Sequence, residues 1–213
     1  MPGLSEKNYQ DRVVFLKDAI RRFEKQPGWE GAVAGYQEAI GNVYREFDVP
    51  QSREWYEKSV ELLRRAFPDP STRVAFVLWK MGDPEAFQKE IEAVLLFEKT
   101  RLEDAKWVES AVDREKSRAE VEMLTAYFLS GDYESTLRMS EEMLAARGEA
   151  NRCDLIQAIL QMAKGMLTRN RQDFDSGIAV LESKVEEWPT SNSNAYIDLY
   201  RYSQHLRGVS EMF

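Results

Sequence analysis

Histidine and cysteine are almost missing from these 213 residues, which hold one of each, His205 and Cys153. A zinc site needs several such ligands converging on one point, so this pair cannot build one, and no metal is expected. A Ser-His-Asp or Cys-His nucleophile would have to recruit His205, which stands on a tyrosine-rich closing segment and reads as a surface or packing residue. Cys153 cannot form an internal disulfide, and its apolar helical surroundings, ANRCDLIQAILQMAKGML, suit a buried structural thiol. No G-x-x-x-x-G-K-[ST] or G-x-G-x-x-G pattern offers a phosphate cradle, so no cofactor is expected.

Positive charge is also in short supply. Lys+Arg 29 against Asp+Glu 37 gives a net charge of −8, which disfavours a general nucleic-acid or anionic-membrane binder and tilts the partner toward a basic one. No apolar run approaches the ~18 residues of a membrane-spanning helix. The opening MPGLSEKNYQDR has no basic segment followed by an apolar one, so the chain reads as cytosolic.

What is present is helix-forming sequence. Leu, Ala, Glu, Lys, Arg and Met recur at i, i+3, i+4 spacing, and strand-like alternation is absent, so the fold class is all-α. A first helix is predicted from about Ser5 to Lys25, ended by Gln26-Pro27-Gly28. Trp29 opens a second through Phe47, stopped at Asp48-Val49-Pro50. A third runs from Ser52 to Phe67, and Ser71 caps a shorter one through Trp79. After Gly82-Asp83-Pro84, Pro84 opens a helix through Phe97. Residues 102–129 read as helical, with a break expected at 113–117, where DREKS has no apolar residue and would divide the single domain. Further helices follow at Tyr133–Ala146, Asp154–Leu167, Phe174–Glu187 and Ser193–Leu206, eleven in all. Glu30, Glu38, Glu90 and Glu92 read as solvated members of exposed ion pairs. Trp55, Trp79 and Trp107 read as core residues.

The segments repeat a pattern of helix, tight turn, aromatic and helix. In the hairpin over 118–150, Tyr127 supplies an aromatic in the first helix, Gly131 and Asp132 the turn, Tyr133 the opening aromatic, and Leu137 and Leu144 the packing leucines. Trp29, Ala32, Tyr36 and Ala39 repeat the second-helix part. Ala75, Leu78, Gly82 and Asp83 repeat the first-helix and turn part, and Ala163, Phe174, Gly177, Ile178, Leu181 and Pro189 form another copy. These hairpins resemble degenerate tetratricopeptide repeats. Thr136, Met143 and Phe87 depart from the small residues that family prefers.

The resemblance implies an array of antiparallel hairpins, a solenoid whose first helices line a concave groove for a peptide or protein. The groove-facing candidates are Arg118, Val121, Thr125, Phe128 and Leu129. Val121 and Thr125 stand where members that grip a peptide's C-terminal carboxylate carry basic residues and asparagine, which argues against a tail clamp of that kind. Tyr196 and Tyr200 on the closing helix offer a second partner surface, tyrosine supplying contact area and a hydroxyl together. The expected function is therefore non-catalytic protein binding. A stoichiometric inhibitor of the immunity or antitoxin kind, masking a basic enzyme by charge, is one alternative. A self-associating scaffold, such as a homodimer, is another.

Overall fold

The computed structural model describes residues 6–103, 112–147, 154–187 and 194–209. Those residues form ten α-helices and no strand: α1 Glu6–Phe23, α2 Glu30–Tyr44, α3 Val49–Ala66, α4 Thr72–Lys80, α5 Pro84–Glu103, α6 Val112–Ser130, α7 Tyr133–Arg147, α8 Asp154–Thr168, α9 Arg171–Glu187 and α10 Asn194–Gly208. The protein is an all-α array of helical hairpins. Cys153, Trp107 and Pro189 lie outside the described residues. The chain divides into two compact units, Met1–Glu90 and Ile91–Phe213.

Three of the hairpins turn by one local device. Gly131 adopts φ +82°, and the turn closes with Asp132 N–H donating to Tyr127 O at 3.1 Å. The Asp132 carboxylate then accepts from Ser135 N–H at 3.0 Å, capping α7. Gly82 at φ +70° and Asp83 repeat this between α4 and α5, with Asp83 N–H on Leu78 O and Ala86 N–H on the Asp83 carboxylate. Between α8 and α9 Arg169 takes the left-handed position at φ 53°, and the Asn170 side chain accepts from Gln172 N–H. Glycine or asparagine is the usual occupant of that conformation, so this turn carried no glycine signal in the sequence.

In the first unit, α2 and α3 pack most closely, because small residues let them. A Cβ on Gly41 would come within 2.7 Å of the Tyr56 ring, so Tyr56 lies directly against the α2 backbone. Ser52 and Ser59 donate to the Gly41 and Ala34 carbonyls at 2.9 Å, and Tyr56 Oη to Asn42 Oδ1 at 2.9 Å. Val13, Leu16 and Ile20 of α1 complete this core, as their helical spacing predicts. Trp55 is only half-buried, with Lys58 Nζ 4.4 Å and Lys17 Nζ 5.5 Å from its ring centre. Trp79 is also half-buried.

In the second unit α6 through α10 pack in order, and α6 also touches α8, so the first helices of two hairpins lie side by side. Glycine again sets the spacing: a Cβ on Gly177 would sit 2.5 Å from Ala158 O, and one on Gly165 2.5 Å from Phe174 N. The buried stripe of α7 is Thr136, Ser140 and Met143, with Leu137 and Leu144 half-buried. Thr136 and Ser140 fill core positions by returning their hydroxyls to Asp132 O and Thr136 O at 2.7 and 2.8 Å.

Three sequence expectations need correction. Residues 113–117 are helical and continuous with the rest of α6, because a polar stretch such as DREKS suits a helical turn as well as a loop. Val49-Pro50 opens α3, whose first turn Asp48 caps by accepting from Gln51 N–H at 3.0 Å; proline fits there because a first-turn N–H has no helical partner. Phe47, expected to end the second helix, is 51% exposed and lies beyond the end of α2 at Tyr44.

Candidate interaction surface

Helices α2 and α4 carry the most informative side-chain geometry. Arg73, in the first turn of α4, donates from Nη2 to Gly31 O at 2.8 Å, and Lys80, the last residue of α4, ion-pairs with Glu38 of α2. Both links span 42 residues, and on each helix the two anchoring positions stand two turns apart. Two links at equal offset mean that α2 and α4 run parallel and in register, as equivalent helices of successive units do. Equivalent placement of α2 and α4 differs from the repeat pattern, which gave α2 the second-helix part and α4 the first-helix part; α2 packs most closely on α3.

This arrangement corrects the charge reading. Glu38 and Lys80 are each only 6% exposed, and Glu90 is 9% exposed, between Arg64 Nη2 at 2.9 Å and Ser71 N–H at 3.2 Å. Two of the four glutamates expected in solvent are thus buried, each satisfied by a cation from another helix, which is what an interior charge requires. Glu92 is exposed and Glu30 half-buried.

At the N-terminal end of α2 the surface becomes apolar and aromatic. Trp29 is 42% exposed and stacks on Phe23, with centroids 4.2 Å apart at 12°. Phe67, just past α3, is 51% exposed, and its ring lies where a Cβ on Gly31 would meet it at 3.2 Å. A Cβ on Gly35 would meet Arg73 Nη2 at 3.5 Å. The absent side chains at 31 and 35 let Phe67 and Arg73 lie against the α2 backbone.

The sequence-nominated groove of α6 is largely interior. Phe128 is fully buried, with edge contacts to Tyr133 at 5.7 Å and Tyr202 at 6.3 Å; Leu129 is 3% and Thr125 6% exposed. Thr125 donates its hydroxyl back to Val121 O at 2.8 Å. Val121 is half-buried and Arg118 alone of the five is exposed. Helical periodicity marks an apolar stripe but not which neighbour covers it, and here Tyr133 of α7 and Tyr202 of α10 cover Phe128. Tyr196 and Tyr200 are both half-buried; Tyr200 Oη donates to Glu182 Oε1 at 2.9 Å. Tyr202 is buried, and burial pushes its phenol above the ordinary tyrosine range. The Phe67–Arg73 edge was missed. The run Gly31-x-x-x-Gly35 was the available signal, since it marks a helix surface open to close approach.

His205 lies exposed on α10. Among the described residues no group of three or more His, Cys, Asp and Glu side chains is placed to hold a metal ion. No helix among them is long and apolar enough to cross a membrane. Glu98 is a buried carboxylate, 4% exposed, whose pKa is raised by desolvation against the lowering effect of Arg101, with Glu122 adding to the rise. Arg101 Nη1 donates to it at 3.3 Å.

No protein-family model matches the chain, and neither does any curated protein.

Proposed function

We propose that this chain is a non-catalytic, tetratricopeptide-like binding protein that holds a peptide or protein partner on the face of its repeated hairpins. The observation carrying this reading is the in-register pair α2 and α4, joined at both ends by Arg73 and Lys80. Side-by-side equivalent helices form a continuous surface wider than one helix, and such arrays recognise partners by presenting that surface without large rearrangement. Exposed Trp29 and Phe67 favour the same reading, since aromatic side chains concentrate binding energy at interfaces.

The chain's net charge of −8 supports an inhibitor that masks a basic enzyme, so the two versions are separated by salt. Capture of partners from native lysate by the tagged chain, washed at low and high ionic strength, tests both. A single protein held at near-equal stoichiometry through both washes supports recognition by the hairpin face, and one lost at high salt supports the charge-masking inhibitor. Retention of nothing, together with a dimer in size-exclusion chromatography, would replace both with a self-associating scaffold.

A further inference from the structure

We infer that Arg73 is the anchor for a carboxylate on the bound segment, and that Phe67 takes the apolar residue beside that carboxylate. This inference rests on the binding function proposed above and assigns the chemistry of the partner.

Arg73 differs from Arg64 and Lys80, the other cations that link helices of its unit, in what it lacks. Arg64 has Glu90 and Lys80 has Glu38, whereas among the described residues Arg73 has no carboxylate, only the Gly31 carbonyl. Its Nε is sealed from solvent and makes no hydrogen bond. A guanidinium has five N–H donors, and a half-buried one normally finds an anion, because losing hydration without a counter-charge is costly. Gly31 and Gly35 hold it close to the α2 backbone, so the charge is fixed in place rather than free on a flexible stem. With Nε sealed and one Nη2 N–H on Gly31 O, the remaining Nη1 and Nη2 N–H groups are the donors for a carboxylate. The exposed Phe67 ring and Arg73 Nη1 both lie near the position of a Gly31 Cβ, at 3.2 and 3.5 Å. An apolar group and a carboxylate on one short segment can therefore engage them together. The charge is local: an acidic protein overall, this chain is short of one acid at this point.

The test is selection from a random peptide library on the full-length chain, in two arms, one with peptides held internally and one with free C-termini. Selected peptides should carry Asp or Glu next to an aliphatic or aromatic residue; enrichment in the internal arm assigns a side-chain carboxylate, and enrichment only in the free arm a C-terminal one. For a peptide with a side-chain acid, change to the amide should weaken binding to the wild-type chain about tenfold, the loss expected for a charged hydrogen-bonded pair, and leave binding to Arg73→Gln nearly unchanged. For a C-terminal acid, amidation of the terminus makes the same comparison. The peptide change keeps the test independent of whether Arg73→Gln folds as well as wild type. Arg73→Lys should retain part of the affinity. Selected peptides without an acid, or an amide change that costs the same on both proteins, overturn the assignment of Arg73 and leave the binding function standing. Selection of no peptide in either arm counts against both.

Discussion

Lys80 ends α4 with its ammonium against the Glu38 carboxylate of α2, and both side chains are closed off from water. A buried pair of this kind adds little net stability over a well-packed apolar pair, yet removal of one partner strands a charge. Lys80→Met or Glu38→Gln should therefore cost about 3 kcal/mol in urea unfolding, while the double variant Glu38→Leu/Lys80→Met recovers most of the loss. A double-variant loss equal to the sum of the two single losses would show that the pair is not coupled.

Close helix approach in the second unit depends on Gly177. An alanine there would put its Cβ 2.5 Å from Ala158 O and 2.6 Å from Met162 Cγ, and the carbonyl cannot move without shifting α8. Gly177→Ala should cost about 2 kcal/mol or more. Gly208→Ala, with nothing within 4 Å, serves as the control and should change stability by less than about 0.5 kcal/mol. Thermal unfolding of the two variants makes the comparison.

Glu98 gives a pH dependence of definite sign. Its pKa in the folded chain is raised above the ordinary glutamate value, chiefly by desolvation, so burial favours the protonated form. Its contribution to stability is full below the unfolded value and is lost as pH rises through the raised, folded one. Glu98→Gln keeps a neutral side chain throughout and should be more stable than wild type near neutral pH, with the advantage shrinking as pH falls toward 4. Denaturant midpoints at several pH values test this; a variant less stable than wild type at pH 7 would mean that the Arg101 contact outweighs desolvation.

The Gly-Asp turns should behave alike. Asp83→Ala and Asp132→Ala each remove an acceptor from a first-turn N–H and should each cost about 1 kcal/mol. Urea unfolding of both variants checks the equivalence.

Those turns show what was legible in the sequence. Glycine in the left-handed region followed by a capping aspartate is local chemistry, so Gly82-Asp83 and Gly131-Asp132 marked their hairpins correctly. The α8–α9 turn also fell where predicted, although Arg169 takes its left-handed position. Burial was harder to read, because it is decided by distant partners. Nothing near Glu38 distinguishes it from a solvated glutamate; the ammonium that permits its burial lies 42 residues away. Phe128 fits an outward apolar stripe until Tyr133 and Tyr202 are folded over it. Arg73 was hidden for the opposite reason, since the absence of a nearby acid appears only when the helices are assembled.

The most direct test of the binding surface compares native-lysate captures by the wild-type chain and by Trp29→Ala/Phe67→Ala, quantified by mass spectrometry and matched for folded protein by circular dichroism. Trp29 is 42% and Phe67 51% exposed, and the double variant should lose a stoichiometric partner that the wild type retains. The same partner at the same yield on both baits would place recognition elsewhere on the chain and contradict the assignment of the α2 edge.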